Sequence, residues 1–545
     1  MACSKIFSGD LPELTSEIIQ YFRNDFSTLH SCVLVNRLWC HLSIALLWED
    51  PFSKNCLKNY HFIEICLFKL NDDDKVKLKE YGILIDLFPS KTLFNYPSFI
   101  QNLNVYNICH SIENWIHNNV KTTTNEKQLS NFIFLSLIKI FIKNIINLHT
   151  FEVEASNILM VISRDCFISA FELISQNPNF ICNVKNLNIC FDGLTNDLLS
   201  FLKYLYSNCN SISSLYIHYS DDLDNYTEKV LSKVINSQHN LRKIYFGQSS
   251  YHFLRNLKIP NCSNTLKTII FHNVYLKNLE INFNEVFNSL NVLESIHIIY
   301  CHFFDSTIIQ QIISLTKPFK LKSLFMDSEL QIEQLKLLLQ LSGDYLENIG
   351  FSSMNNELKL QSIKLVKIYC IKIKFIDLIR FDDQNVFSAF DLIKNFQQNL
   401  NYLNINFCQF GREQLSYDDK LSSIVLQNLG QILPYKLEYL GLALKINVND
   451  LKTFFENSHC IFIRKLLIRN KVYQESDDIL SCIKKYIMKE KRVTYLAIEN
   501  LHYCTNERKN LFHLEDIEEF KFYGIQFINY DNLCIEIHDF INELY

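Results

Sequence analysis

Along most of the chain one six-residue pattern returns: apolar, two variable positions, apolar, one variable position, apolar. It reads LHTFEV from Leu148, VKNLNI from Val184, ISSLYI from Ile212, LRKIYF from Leu241, LKTIIF from Leu266, LESIHI from Leu293, LKSLFM from Leu321 and LENIGF from Leu346. It continues as IKFIDL from Ile373, LNYLNI from Leu400, LEYLGL from Leu437, IRKLLI from Ile463, VTYLAI from Val493 and IEEFKF from Ile517. LQSIKL from Leu360 also fits, but only 14 residues separate it from Leu346, whereas Ile373 halves the 54-residue interval between Leu346 and Leu400. Fourteen copies then run from Leu148 to Ile517 in steps of 24 to 37 residues. The last four positions of the pattern alternate as in a short strand. Between copies, segments such as EKVLSKVINSQ (228–238) and EQLKLLLQLSG (333–343) repeat their apolar residues at three and four, which predicts amphipathic helices. One strand and one helix per unit, with parallel strands side by side, lets each unit bury its apolar face against its neighbours.

A strand–helix unit of this length resembles the leucine-rich repeat. The Cys that such repeats carry three residues past the last apolar position is present at Cys301 and Cys408, while most other copies lack an Asn or Cys there. The resemblance is therefore to a degenerate form of the long, cysteine-containing class found in ubiquitin-ligase receptors. It implies an α/β solenoid, a leucine-rich-repeat horseshoe. The third and fifth positions of each strand then point away from the core onto the concave sheet. They are Ser214 and Tyr216, Lys243 and Tyr245, Ser295 and His297, Ser323 and Phe325, Phe375 and Asp377, and Tyr402 and Asn404. Exposed rings on a curved surface are common interface anchors, which makes Tyr216, Tyr245, His297, Phe325, Phe375 and Tyr402 candidate substrate-binding residues. The competing expectation is that such rings pack on one another across the sheet.

Residues 11–49 read LPELTSEIIQYFRNDFSTLHSCVLVNRLWCHLSIALLWE. Pro12 suits a helix start. Leu14, Ile18, Ile19 and Phe22 follow at helical spacing, then a polar break, then Leu29, Cys32, Val33, Val35 and Trp39, and finally Leu42, Leu46, Leu47 and Trp48. Three short amphipathic helices in about forty residues cannot bury this surface alone. The segment resembles an F-box, with Leu11, Pro12, the Glu17-Ile18-Ile19 run, Leu29, Val35, Arg37, Trp39 and the closing Leu47-Trp48 where that family has them. Glu13-Leu14 follows Pro12 directly, where most members place one further residue between. The resemblance implies docking on a Skp1-like adaptor, and through it a cullin–RING ligase, by Leu11, Pro12, Leu14, Ile18, Ile19, Leu29, Val35 and Trp39. F-box followed by leucine-rich repeats is a recurrent receptor layout, and the Asn-rich, Ala-poor composition resembles expanded fungal F-box families. The alternative is a helical cap on a repeat scaffold that takes no part in ubiquitination, since terminal repeats need capping.

The chain then divides into an F-box at 1–53, a transition segment or repeat cap at 54–145, and a leucine-rich-repeat solenoid at 146–545. Within the transition, IQNLNV from Ile100 matches the repeat, Asp72-Asp73-Asp74 reads as a solvated loop, and 117–131 reads as an exposed loop. Phe132–Leu148 is the most apolar stretch, but Lys139 and Lys143 sit near its middle, each costing about 3 kcal/mol at a bilayer centre, so a buried helix is expected. MACSKIFSGDLPEL has no unbroken apolar run, so no signal peptide is expected.

Composition narrows the chemistry. Of 10 glycines the closest two, Gly343 and Gly350, are seven apart, which excludes dinucleotide-binding, P-loop and nucleophile-elbow signatures. The 18 cysteines come no closer than eight residues, as at Cys32/Cys40 and Cys182/Cys190, too far for CxxC chemistry or a zinc finger. They read as buried thiols in a reducing compartment. A formal charge of -5 gives no general attraction to nucleic acid. The basic run 484–492 reads as the wet face of a helix rather than a phosphate patch. The expectation is a protein-binding, non-enzymatic, intracellular protein of cytoplasm or nucleus, without cofactor, metal, nucleic-acid or membrane partner.

Overall fold

The computed structural model describes residues 11–23, 25–53, 60–83, 88, 91–119, 126–155, 161–191, 196–219, 225–248, 257, 260–274, 282–302, 306–326, 331–352, 354–406, 415–472, 479–488, 490, 492–502, 508–510 and 514–545. Cys408 lies outside them. The chain forms two units, Met1–Leu266 and Lys267–Tyr545.

The first unit opens with three helices, α1 (Pro12–Tyr21), α2 (Phe26–Val33) and α3 (Arg37–Leu47). Asp25 caps α2 by accepting from the Thr28 amide, and Asn36 caps α3 by accepting from the Trp39 amide. Five strands follow: β1 (Asn102–Asn104), β2 (Thr150–Ala155), β3 (Asn186–Phe191), β4 (Ser214–Tyr219) and β5 (Lys243–Gln248). They pair in chain order, all parallel. The strand order thus begins at Asn102, inside the stretch read as a transition.

The second unit repeats the design with β6 (Thr268–His272), β7 (Ser295–Ile299), β8 (Leu321–Met326), β9 (Asn348–Phe351), β10 (Phe375–Ile379), β11 (Tyr402–Asn406), β12 (Lys436–Leu444), β13 (Phe462–Val472) and β14 (Val493–His502). These also pair parallel in chain order. Against β14 lie β15 (Arg508–Asn510), antiparallel, and β16 (Gln526–Phe527), parallel. Each unit is an α/β solenoid of leucine-rich-repeat type. Helices such as Asn225–Asn236 and Ile332–Ser342 cover one face of the strands, and leucines and isoleucines at alternate strand positions (Leu215, Ile217, Leu403, Ile405) fill the core between them.

Thirteen of the fourteen predicted copies are strands. The exception, IEEFKF, belongs to the helix Leu514–Phe522, where Phe520 is buried and Phe522 is exposed. Its Glu and Asp residues at helical spacing serve Lys484, whose ammonium meets Asp516 and Glu519 at 2.7 Å each. Ile373 is the correct register between Leu346 and Leu400; Leu360 lies inside the helix Asn356–Tyr369. Asp72–Asp74 are not a loop: they open the helix Asp72–Glu80, capped by Asn71, where their charge suits the helix N-terminus. Of 117–131, residues 117–119 end one helix and 126–131 begin another. That second helix, Glu126–Asn144, buries Ile133, Phe134, Leu137 and Phe141 and leaves Lys139 and Lys143 exposed. Among the described residues no helix is long and apolar enough to cross a membrane.

Candidate functional site

Two surfaces correspond to the residues singled out in the sequence. The first is the N-terminal trio of helices. Ile19, Leu29, Cys32, Trp39 and Leu46 form a small core of their own, with Phe22, Leu42 and Leu47 packed against it. Of the eight residues expected at an adaptor, Ile19, Leu29 and Trp39 are therefore inside the element and unavailable for direct contact. Leu11 and Ile18 are half-buried, while Pro12, Leu14 (46%) and Val35 (43%) are exposed. Tyr21 and Leu34 are more exposed still, at 85% and 86%, and spacing does not single them out. Helical periodicity finds an apolar stripe but does not say whether the stripe faces inward or outward.

The trio is also joined firmly to the repeats. The Glu49 carbonyl accepts from the Gln101 and Asn102 amides, at 2.9 and 3.1 Å. One repeat later the Gln101 carbonyl accepts from His149 and Thr150, and the His149 carbonyl from Lys185 and Asn186. Glu49 thus occupies the place of a repeat that precedes the first. Trp48 packs on Tyr96 at 4.5 Å, and Arg23 pairs with the Glu49 carboxylate at 3.1 Å. Burial, with Glu152 and Glu49 nearby, raises the neighbouring Asp50 carboxyl to about 7.

The second surface is the sheet face turned away from the helices. In the first unit it is partly open: Ser214, Tyr216 and His218 of β4 alternate with buried Leu215, Ile217 and Tyr219. Tyr216 stacks on Tyr245 at 4.1 Å, and Tyr245 is buried. The packing of rings across the sheet therefore operates here.

In the second unit the same face carries two rows in register. One runs His297, Ser323, Asn348, Phe375, Tyr402, Tyr439, Lys465 and Tyr495; the other runs Phe325, Gly350, Asp377, Asn404, Gly441, Leu467 and Ala497. The register between β7 and β8 is irregular at Ile296/His297, and His297 stands opposite Ser323, two positions from where uniform repeats would put it. The expectation that these side chains are open is corrected by their burial: His297 and Phe375 are 0% exposed, Phe325 is 1% exposed, and Tyr402 is half-buried.

The cover is residues 528–545 of the same chain. Tyr530 and Leu533 pack with Tyr439, Leu467 and Ala497. The Ile535 amide donates to the Tyr439 hydroxyl at 3.3 Å. From the helix Ile537–Leu544, His538 stacks on His272 at 4.8 Å, and Phe540 meets Phe375 and Tyr402 at 5.2 and 4.9 Å. Tyr545 lies against the His297 ring at 4.3 Å, with the Lys322 ammonium 5.1 Å from its own ring centre. Its hydroxyl donates to Glu347 at 3.0 Å and accepts from Asn348 at 3.1 Å. Burial works against the Glu347 carboxylate, yet Lys374 and Lys322 outweigh it and hold its pKa below the ordinary value. At the other end Arg469 stacks on Tyr530 at 4.1 Å and pairs with Glu499.

Beneath this cover Asp377 is wholly buried. It accepts from the Asn404 amide at 2.8 Å and the Tyr300 hydroxyl at 3.2 Å, and burial raises its carboxyl to about 6. Tyr300 reaches it from a left-handed backbone position, φ 50°, just past β7. No spacing rule points to residues 528–545. A partial signal lies in one strand: YLGLAL of β12 is a near-continuous apolar run, the mark of a strand covered on both faces, whereas SIHII of β7 and NIGF of β9 alternate much as SLYIHY of β4 does.

No family model matches this chain, and no curated protein does. Among solved structures it is similar to a chain of "Crystal structure of Rad7 and Elc1 complex in yeast", at 12% identity and a TM-score of 0.37 over 78% of this chain and 96% of that one.

Proposed function

We propose that this protein is the substrate-recognition subunit of a Skp1–cullin–F-box E3 ubiquitin ligase. It is non-catalytic, docks a Skp1-like adaptor through its N-terminal helices and holds a target protein on its repeats. The observation that carries the reading is the division of labour in the trio: five buried side chains make it a folded element, while Pro12, Leu14 and Val35, which the F-box resemblance expects at a partner, are left outside, as is Leu34 next to Val35 in the chain. Helix-in-groove burial of such side chains is a common mode of stable docking. A receptor so built acts by proximity and orientation of its target.

The scaffold reading has one observation of its own, the Glu49 carbonyl standing in for a preceding repeat. That contact caps the array whichever reading holds, and it would fix an adaptor rigidly relative to the first repeats. Copurification of a tagged full chain with a Skp1-type adaptor, with and without residues 1–53, separates the two. Adaptor recovered with the full chain and lost on deletion supports the receptor. A full chain that never recovers adaptor leaves the scaffold.

A further inference from the structure

We propose that the face of the second unit beneath residues 528–545 is a peptide-binding groove occupied by the chain itself. Its exchangeable occupant is an acidic amphipathic helix of a partner protein, with aliphatic anchors and an aromatic ring. This deepens the reading of the repeats as a target-binding surface and does not depend on adaptor docking.

The occupant's chemistry is shown by the segment now seated there. Ile537, Phe540, Ile541 and Tyr545 face the sheet at helical spacing (i, i+3, i+4, i+8), while Glu536, Asp539 and Glu543 are exposed. The groove answers both features. Phe375 and Tyr402 receive one ring, and the polar pocket of Asn348 and Glu347 receives one phenol. Lys322 and Lys465 supply positive charge, Lys322 over the Tyr545 ring and Lys465 toward Glu543.

The cover is suited to exchange. An eight-residue helix is marginal by itself, and it is held by side-chain contacts, none of its backbone being part of the sheet. Of the polar side chains under it, Asn348 donates to the Ser323 hydroxyl at 2.9 Å as well as to Tyr545 of the cover, and Ser323 also meets the His297 ring at 2.7 Å. Lifting the helix leaves that pair intact and hydrates the rest.

The test uses a fluorescein-labelled peptide of residues 526–545 titrated into the full chain and into the full-length Phe540→Asp/Tyr545→Ala variant. The variant is expected to bind it. For a Kd of ~10 μM and an effective concentration of the tethered segment of ~1 mM, the unaltered chain binds about a hundredfold more weakly. A peptide carrying Phe540→Asp binds neither. Equal binding to both proteins, or no binding to a variant that retains its cooperative melt, overturns the proposal. Hydrogen exchange on the unaltered chain is the second arm: amides of 538–544 are expected to exchange well before those of β10–β12. Exchange only together with those strands makes the segment a fixed layer of the fold and ends the proposal. Adaptor copurification is untouched by either arm, so failure here and failure of the receptor reading are separate results.

Discussion

Trp39→Ala and the pair Leu14→Ala/Val35→Ala should abolish or weaken adaptor binding for different reasons, and the difference is measurable. Trp39 is buried against Ile19, Leu29, Cys32 and Leu46. Removing an indole from such a site costs about 3–5 kcal/mol. A core this small supplies roughly 3–5 kcal/mol in total, so the element unfolds and all adaptor affinity goes with it. Leu14 and Val35 are each nearly half exposed. Truncating them costs about 0.5 kcal/mol of stability or less. At an interface each anchor contributes roughly 1–2 kcal/mol, so the pair weakens adaptor binding by about 30- to 1000-fold while the helices persist. Hydrogen exchange of α1–α3 reports folding, and calorimetric titration with a purified Skp1-type adaptor reports affinity. A Leu14→Ala/Val35→Ala protein with native exchange and undiminished affinity would refute the assignment of these side chains to the interface. Slow exchange preserved in Trp39→Ala would refute the assignment of Trp39 to the core.

Other perturbations test the second unit. Burial raises Asp377 from 3.8 to about 6, so the folded chain holds its proton more tightly than the unfolded one. The stability this gives is complete below pH 3.8 and lost as pH rises through 6. Asp377→Asn should therefore gain up to about 3 kcal/mol over the unaltered chain at pH 8 and almost nothing at pH 4 in urea unfolding; no gain at pH 8 contradicts the assignment. Arg469→Met leaves the Glu499 carboxylate, 5% exposed, without its cation, at a cost of about 3–5 kcal/mol. Arg469→Met/Glu499→Leu should recover most of it in a double-mutant cycle, and a double variant as weak as the single one would show that the unpaired carboxylate is not the cause. At Gly350 a Cβ would come 2.3 Å from a Phe325 ring carbon, so Gly350→Ala should lower the melting temperature by the equivalent of about 1–3 kcal/mol. Phe325→Leu in the same chain should restore part of the loss.

The repeat was legible because its cause is local. An apolar residue entering a strand and alternate apolar residues along it must recur once per layer, and thirteen of the fourteen proposed layers are strands. Ile517 failed because six residues cannot distinguish a strand from a helix whose apolar residues fall at the same intervals; the carboxylates that answer Lys484 lie on the helix face. The register shift at Ile296/His297 was invisible for a related reason, since a slide of two positions keeps each side chain on its own face and leaves the apolar pattern of both strands intact. In the N-terminal trio spacing located the helices, and the F-box resemblance assigned Ile19, Leu29 and Trp39 to a partner, although their own neighbours enclose them. The cover over His297, Phe375 and Tyr402 is a contact between residues more than a hundred positions apart, and the strands beneath it, SIHII, FIDLI and YLNIN, still alternate polar with apolar residues, so the local pattern gave no notice of it.

A row of parallel strands in register is also a template, because its last member offers unpaired amides and carbonyls to any similar strand. In the second unit β14 does not present that invitation. Its residues 499–501 are matched by β15 and 495–496 by β16, two short pieces running in opposite senses. Their opposed directions matter as much as their shortness. An incoming parallel strand from another molecule would find neither a free ladder nor a continuous one to extend. The array therefore carries its own terminator, and the same edge that ends the fold keeps one molecule from being read as the beginning of the next.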